Sequence, residues 1–166
     1  MELKETKQIL NTFAKYVIQQ SRSNLSKSKK NVSKALYDSL DYEIMANKDF
    51  IELSFSMLEY GQYQDQGVSG TKKNYNTPFR YTNKMPPPKA FDKWTVRKGI
   101  APRGSGGKFE KRKGLNYAIA KTIFEQGIRP SLFFTKPFEA RFQPMLDKLE
   151  QAFGQDFEND LIDEKG

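Results

Sequence analysis

The sequence lacks both cysteine and histidine, and these two absences exclude several kinds of site. A disulfide framework, a zinc knuckle and a thiolate nucleophile all need cysteine, and a Ser-His-Asp triad or a histidine-ligated metal needs histidine. General acid–base chemistry near neutral pH would therefore fall to a carboxylate, a lysine or a tyrosine with a shifted pKa. We expect no metal, no cofactor and no catalytic residue.

Long apolar runs and a leader pattern are missing as well. The uninterrupted apolar runs are only a few residues long, too short to span a membrane. The first five residues lack the basic-then-apolar layout of a signal peptide. We therefore expect a soluble protein that is made inside the cell and has no membrane partner.

Aromatic residues compensate for a polar composition. Of the 166 residues, 37% are apolar and 29% are charged, but 13 Phe, eight Tyr and one Trp are among them. Aromatic side chains bury a large area each, so this length can form a real core. We predict a single domain over residues 1–166.

The net charge of +8 is concentrated in one central stretch, residues 67–114, which we call the basic segment. It contains 13 Lys and Arg against two acidic residues, a net charge of +11, whereas the rest of the chain carries −3. It also holds five of the eight prolines and seven of the eleven glycines, which disfavour regular structure. A connection of this length is usually functional, or disordered until a partner orders it.

The apolar spacing before the basic segment predicts helices around a hairpin. Residues 2–20 form an amphipathic helix that ends at Ser21–Asn24, and residues 32–40 form a second short helix or an extended stretch. Ile51 to Met57 alternate apolar and polar as a half-buried strand does, and Tyr42–Met45 is its partner through a turn at Asn47–Asp49. A short helix over residues 59–66 follows and ends at Gly67.

Two further helices are predicted after the basic segment. The first has its apolar face at Leu115, Ala118, Ile119, Thr122 and Ile123 and ends at Gly127. Residues 131–134 are a short strand or an extended bridge. The last helix covers residues 138–153, with a kink or a start near its internal proline at 144. Residues 156–166 form an acidic, frayed tail.

These elements predict an α+β fold. A small antiparallel sheet is packed by the N-terminal and C-terminal helices, and the basic segment is a long loop insertion in it. The face of the sheet that carries Ile51, Leu53, Phe55 and Met57 should be buried under those helices.

The sequence gives only weak evidence for a nucleotide-binding loop and for a catalytic carboxylate pair. Gly104–Lys108 resembles part of a phosphate-binding loop, but Pro102 stands where the P-loop has its first glycine and Phe109 where it has Ser or Thr. We interpret it as a flexible loop tip. The carboxylate pairs Asp38 with Asp41 and Glu59 with Asp65 are interpreted as solvated surface charge.

The basic segment allows three interpretations. Clustered Lys and Arg bind nucleic-acid phosphates, and nearby aromatics such as Tyr75 and Trp94 can stack on bases. The proline-rich spacing suits docking onto another protein equally well, and a solvated, disordered insertion is the third possibility. We favour a loop that neighbouring subunits order, with part of its charge facing DNA. The residues predicted to face DNA or an acidic partner are Lys72, Lys73, Arg80, Lys84, Arg103, Lys108, Lys111, Arg112 and Lys113.

Two short segments resemble a known family. Tyr60–Val68 follows a strand, and Gly127–Phe138 leads into the last helix. These segments resemble the tail-completion or head–tail joining proteins of tailed bacteriophages, a group that includes minor tail protein Z. Those proteins have a Tyr-Ala-x-Tyr-Val-Glu-x-Gly-Thr segment after a hairpin and an Arg-Pro-Phe-Leu-x-Pro-Ala segment before the last helix.

The resemblance spans roughly residues 2–153 and rests on the order of the elements and on these short motifs. The first segment is matched by Tyr60, Tyr63, Asp65 and Gly67, with Asp in place of the usual Glu and Val68 where Thr is typical. The second segment is matched by Arg129 and Pro130, and more loosely by Phe134, Pro137 and Phe138. Residues 86–100 resemble an insertion that related phage proteins also have.

The resemblance implies a structural role without enzymatic activity. Proteins of this family form rings around the DNA channel at the neck or the top of the tail. We therefore expect a ring-forming subunit, a hexamer, located in the virion and made in the bacterial cytoplasm, whose partners are neck or tail-tube proteins and, without sequence preference, genomic DNA. Its subunit interface is predicted to involve Tyr60, Tyr63, Trp94, Arg129, Phe133, Phe134 and Phe138.

The alternative is a small nucleic-acid-binding protein that uses the basic segment directly and without sequence preference. An enzyme is a distant third hypothesis.

Overall fold

The fold is α+β, and the computed structural model describes residues 3–28, 34–47, 50–109 and 111–163, with side chains as far as residue 159. Within these residues the elements follow one another as α1 (Lys4–Lys27), α2 (Ala35–Ser39), β1 (Asp41–Ala46), β2 (Ile51–Ser56), α3 (Tyr60–Gln66), β3 (Val68–Ser69), a 3-10 turn (Pro88–Phe91), α4 (Asp92–Arg97), α5 (Arg112–Gln126), β4 (Gly127–Ile128) and α6 (Thr135–Asp163).

The chain divides into two compact units where the sequence predicted one domain. The helix–hairpin unit comprises Met1–Leu58 and Phe133–Gly166, and the cationic unit comprises Glu59–Leu132. Fifteen Lys and Arg against five Asp and Glu give the cationic unit a net charge of +10, whereas the helix–hairpin unit carries −2. The charge asymmetry seen in the sequence is therefore also an asymmetry between two folded units.

Helix α1 is longer than predicted. Its predicted apolar face is buried, but the helix continues through Ser21–Asn24 to Lys27. Ser21 and Leu25 follow Ile18 at spacings of three and four residues, and both are at most 1% exposed. Burial of Leu25 on this face therefore outweighs the weak helix preference of the Ser and Asn residues that were expected to end the helix.

The predicted hairpin is confirmed. β1 and β2 pair antiparallel with Ile44 opposite Leu53 and Tyr42 opposite Phe55, so these four side chains share one face, which packs with α1 and α6. At the turn, the Asn47 amide donates to the Phe50 carbonyl and the Phe50 amide to Asn47 Oδ1, both at 3.0 Å. The other two predicted turn residues, 48 and 49, lie outside the described residues, as does Val32 at the start of the second predicted helix.

The core of the helix–hairpin unit takes up three phenylalanines that were predicted at a subunit interface. Phe133 is 1% exposed and packs with Ile18, Leu25, Leu36 and Leu40. Apolar side chains of α1 and α2 therefore bury the Phe133 ring within its own unit.

The other two phenylalanines join an aromatic cluster. Phe134 and Phe138 each pack edge-on against Phe55, with ring centroids 5.3 and 6.1 Å away, and Phe138 does the same with Phe13 at 5.4 Å. Edge-on packing of this kind stabilises a core beyond the area that it buries. Phe133 is therefore a core residue, whereas Phe134 and Phe138 are half-buried against the core.

Helix α6 extends beyond the predicted helix at both ends. It begins at Thr135, where Pro137 falls in the first turn and loses no helical hydrogen bond, and it continues through Pro144 to Asp163. Asp156, predicted to start a frayed tail, is 3% exposed and accepts hydrogen bonds from the Glu5 and Thr6 amides. Residues 164–166 lie outside the described residues.

Helix α5 buries only part of its predicted face, where Leu115, Ile119 and Ile123 are half-buried. Asn116 and Ala120 are buried, whereas Ala118 and Thr122 of the predicted face are exposed. The buried position of Asn116 is a polar one, which an analysis of apolar spacing cannot find.

Candidate functional site

The candidate site is the surface of the cationic unit. The nine cationic residues predicted to face DNA or an acidic partner are all exposed in the structure. Residues of one charge sign spread over one compact unit create a positive potential that attracts phosphates and acidic proteins. The contacts that these residues make within their own unit bear on the three interpretations of the basic segment.

The first part of the basic segment is attached to its own chain through Ser69. The Ser69 amide donates to the Phe79 carbonyl at 2.8 Å, and the Tyr81 amide donates to the Ser69 carbonyl at 2.9 Å. Ser69 Oγ lies 3.0 Å from Asn74 Oδ1 and accepts from the Tyr75 amide at 3.0 Å. These bonds close a loop over residues 69–81 and place Lys72, Lys73 and Arg80 on its exposed side.

The same loop is joined to the end of α5. The Thr71 and Lys72 amides each donate at 2.9 Å to the carbonyls of Phe124 and Glu125. Lys72 Nζ also pairs with Glu125 Oε2 at 2.9 Å, and this hydrogen bond holds the pKa of Glu125 below its ordinary value. Lys72 is therefore partly neutralised within its own unit, although its side chain is 65% exposed.

Helix α4 is joined to α5 by polar side chains. Thr95, which is fully buried, donates from Oγ1 to the Asp92 carbonyl at 3.0 Å and contacts Asn116 Oδ1 at 3.4 Å. Asn116 Nδ2 donates to Asp92 Oδ1. This network explains why Asn116 is buried on α5. It also keeps Thr95 on the buried side of α4, so that the exposed side of this helix carries Lys93, Trp94, Val96 and Arg97.

The glycine-rich segment Gly104–Lys108 forms the tip of a small hairpin. Arg103 and Phe109 form an antiparallel bridge, the Gly104 amide donates to the Lys108 carbonyl at 3.0 Å, and the Gly107 amide donates to the Gly104 carbonyl at 2.9 Å. The Arg103 guanidinium lies 4.7 Å from the centre of the Phe109 ring, a cation–π contact. A phosphate-binding loop instead joins a strand directly to a helix, so the loop-tip interpretation agrees with this geometry.

Four of the seven predicted interface residues lie in the cationic unit and are exposed. Tyr60, Tyr63 and Trp94 are 43%, 37% and 39% exposed, and Arg129 is also exposed. The Tyr63 ring packs edge-on against Phe79 with centroids 4.7 Å apart. The other three, the phenylalanines described above, belong to the helix–hairpin unit.

Several exposed aromatic and aliphatic side chains were not predicted as site residues. In the cationic unit these are Val96, Phe109 and Tyr117, which are 53%, 71% and 53% exposed. On α6 they are Phe142, Phe153 and Phe157, which are 40%, 51% and 52% exposed. In the sequence, Phe142 and Phe153 keep the helical apolar spacing of the last helix, which favours core packing, and Phe157 falls in the predicted tail.

The carboxylate pairs do not form a catalytic arrangement. Asp38, Asp41 and Glu59 are exposed, whereas Asp65 is 4% exposed and its backbone carbonyl accepts from the Ser131 and Leu132 amides. Among the described residues, no cluster of three or more acidic side chains has the arrangement of a metal site. None of the described helices is long and apolar enough to cross a membrane.

Comparison with known proteins does not assign this chain to a family. No protein-family model matches the chain, and neither the curated proteins nor the solved structures include a significant match to it.

Proposed function

We propose that this chain is a structural virion protein of a tailed phage, a tail-completion or head–tail connector subunit that assembles into a ring around the DNA channel. The observation that carries the proposal is the division of charge between two folded units, +10 on the cationic unit and −2 on the helix–hairpin unit. A closed ring joins unlike surfaces head to tail, so its subunit needs two different complementary surfaces.

Exposed aromatic side chains support an assembly role. Interfaces combine charged rims, which guide encounter and register, with large apolar anchors, which supply most of the affinity. The cationic unit offers Trp94 and Phe109 among its Lys and Arg residues, and α6 offers Phe142, Phe153 and Phe157. The resemblance of Tyr60–Val68 and Gly127–Phe138 to tail-completion proteins points to the same class of function.

In this proposal the cationic unit is already folded before it contacts a neighbouring subunit. Residues 69–81 are hydrogen-bonded to β3 and α5 of the same chain, so a partner does not have to order them. Contact with neighbouring subunits would instead act on an existing surface, which reduces the entropy cost of binding. This replaces the sequence-based expectation that the whole basic segment becomes ordered only on assembly.

The first test is self-association. We expect the purified chain, whose monomer mass is 19.2 kDa, to form oligomers consistent with a hexameric ring in mass photometry, and to be recovered from purified phage particles. High salt should shift the oligomers toward monomer, because charge complementarity contributes to encounter. A strict monomer at all salt concentrations that is absent from particles would contradict the proposal.

The second test separates the ring from the alternative function, a nucleic-acid-binding protein without sequence preference. We expect the isolated chain to bind duplex DNA weakly, because a ring subunit contacts DNA through many copies at once. The triple variant Lys111→Glu, Arg112→Glu, Lys113→Glu should reduce the salt slope of log K by about 3, or roughly 0.9 per lost phosphate contact. The matched control reverses three exposed lysines of the helix–hairpin unit, Lys7, Lys15 and Lys136.

Tight binding by the isolated chain with a steep salt slope, together with a monomeric state, would favour the alternative function. An equal loss of affinity in the control variant would show that binding follows total charge and not the cationic unit.

A further inference from the structure

One face of α6 carries an uncovered aromatic stripe. Phe142, Leu146, Leu149, Phe153 and Phe157 follow at spacings of four, three, four and four residues, which keeps them on one side of a helix of 3.6 residues per turn. The two leucines are half-buried and pack against the core. The three phenylalanines of the same stripe are 40–52% exposed.

Acidic side chains accompany the stripe. Glu139 lies three residues before Phe142 and Glu150 three residues before Phe153, so each is adjacent to a phenylalanine on the helix surface, and both are exposed. Arg141 projects from another side of α6, where its guanidinium lies 4.9 Å from the centre of the Tyr16 ring. A partner for this face therefore needs apolar anchors and positive charge together.

The cationic unit has a surface with those two properties at α4. A shallow recess there is lined by Lys93, Val96, Arg97 and Arg112, together with Asp92, whose carboxylate is hydrogen-bonded to Asn116. Val96 is 53% exposed. Three cations around an exposed aliphatic side chain complement a phenylalanine stripe with glutamates beside it.

We propose that the α6 stripe of one copy docks onto the α4 surface of a second copy. This inference rests on the proposed function, for which it names the two unlike surfaces of the head-to-tail contact. Phe153 and Phe157 supply the apolar contact at Val96, and Glu150 faces Arg97 of the other copy. The contact joins two unlike surfaces and so can continue from copy to copy until the ring closes.

Cysteine cross-linking tests the contact directly, because the native chain has no cysteine. A Phe153→Cys protein and a differently tagged Val96→Cys protein are mixed and treated with a short bismaleimide. We expect a mixed dimer to form at least tenfold faster than with Phe50→Cys in place of Phe153→Cys. Phe50 is the matched control because it is 53% exposed on the hairpin, against 51% for Phe153.

Three results would overturn the proposal. The first is a mixed dimer that forms no faster than the control. The second is a Phe153→Cys protein that cross-links mainly to itself, through a two-fold contact of α6 with α6. The third is a chain with both cysteines that cross-links mainly within itself. Each result assigns the stripe a different neighbour, or none.

A charge-exchange experiment adds a second readout. Glu150→Lys alone and Arg97→Glu alone should each slow formation of the mixed cross-linked dimer about tenfold when introduced into the respective cysteine protein, and the two changes together should restore most of the rate. Circular dichroism of each variant checks that the fold is retained. Absence of rescue in folded proteins would contradict the pairing of these surfaces.

The failure of this inference differs from the failure of the proposed function. If the chain is present in phage particles but the stripe does not cross-link to α4, the ring uses other surfaces. If the cross-link forms but the chain is absent from particles, the contact between copies stands and the virion role fails.

Discussion

Replacing Gly127 with alanine is expected to unfold the cationic unit. Gly127 ends α5 with a φ of +74°, a conformation that strains any residue with a Cβ, and a Cβ here would lie 2.1 Å from the Val68 carbonyl oxygen. Its neighbours are backbone atoms of β3, which cannot move without breaking the β3–β4 pair. Backbone strain and overpacking together should cost roughly 3 to 5 kcal/mol.

The measurement is hydrogen exchange combined with limited proteolysis. In the Gly127→Ala protein, amides of residues 69–81 and of α5 should lose protection, and trypsin should cleave the basic segment rapidly. Gly70→Ala should behave alike, because its Cβ would lie 2.2 Å from the Glu125 carbonyl oxygen.

Gly114→Ala is the matched control for both variants. Gly114 lies within α5 with open space around its Cβ position, so alanine there should stabilise the helix by about 1 kcal/mol. Wild-type protection in the Gly127→Ala protein would show that the close approach of β3 and β4 does not hold the cationic unit together.

This close approach also marks where sequence reasoning stops. The stop of α5 at Gly127 was predicted from the sequence, because a glycine and a following proline are local signals. The pairing of Gly127 with Ser69 across about 58 residues was not predictable, since neither residue carries an apolar pattern that would identify a partner. Consequently the basic segment was interpreted as a loop with little regular structure, although its first third is hydrogen-bonded to its own chain.

The helix–hairpin unit shows the same contrast. The periodicity of α1 and the alternation of β2 depend on neighbouring residues, and both were predicted correctly with the face that they bury. The burial of Phe133 and the exposure of Phe153 were not, because a phenylalanine gives the same sequence signal whether the fold covers it or leaves it exposed. Phe133 is 1% exposed and Phe153 is 51% exposed. Only the positions of other elements distinguish a buried phenylalanine from an exposed one.

Asp156 is the clearest case of a role that depends on distant residues, and replacing it should have the second large effect. The residue before α1 is Leu3, which provides no side-chain cap, so the first amides of this helix need another acceptor. Asp156 Oδ1 accepts from the Glu5 amide at 2.9 Å and Oδ2 from the Thr6 amide at 2.8 Å. A carboxylate at this helix terminus also interacts favourably with the helix dipole.

Asp156→Asn should therefore destabilise the helix–hairpin unit by about 2 to 4 kcal/mol. The side-chain NH2 group of asparagine would face one of the two backbone N–H groups, and two donors cannot form a hydrogen bond with each other. Urea denaturation followed by circular dichroism measures the change in the free energy of unfolding. Glu158→Gln on the same helix is the matched control, since Glu158 is exposed, and it should change stability by less than about 0.5 kcal/mol. Equal stability of both variants would show that the cap contributes nothing.

The pH dependence gives an independent test of the same contact. Burial alone would raise the pKa of Asp156, but the hydrogen bonds from Thr6 and Glu5 outweigh burial and lower it below its ordinary value of 3.8. As the pH falls from about 5 through 3.8 toward the lower pKa of the folded state, the unfolded chain takes up a proton first, so the folded state loses stability. The stability difference between wild type and Asp156→Asn should accordingly be full above about pH 5 and decrease steadily on acidification. A difference that stays constant down to strongly acidic pH would mean that the asparagine variant is destabilised by packing and not by loss of the charged cap.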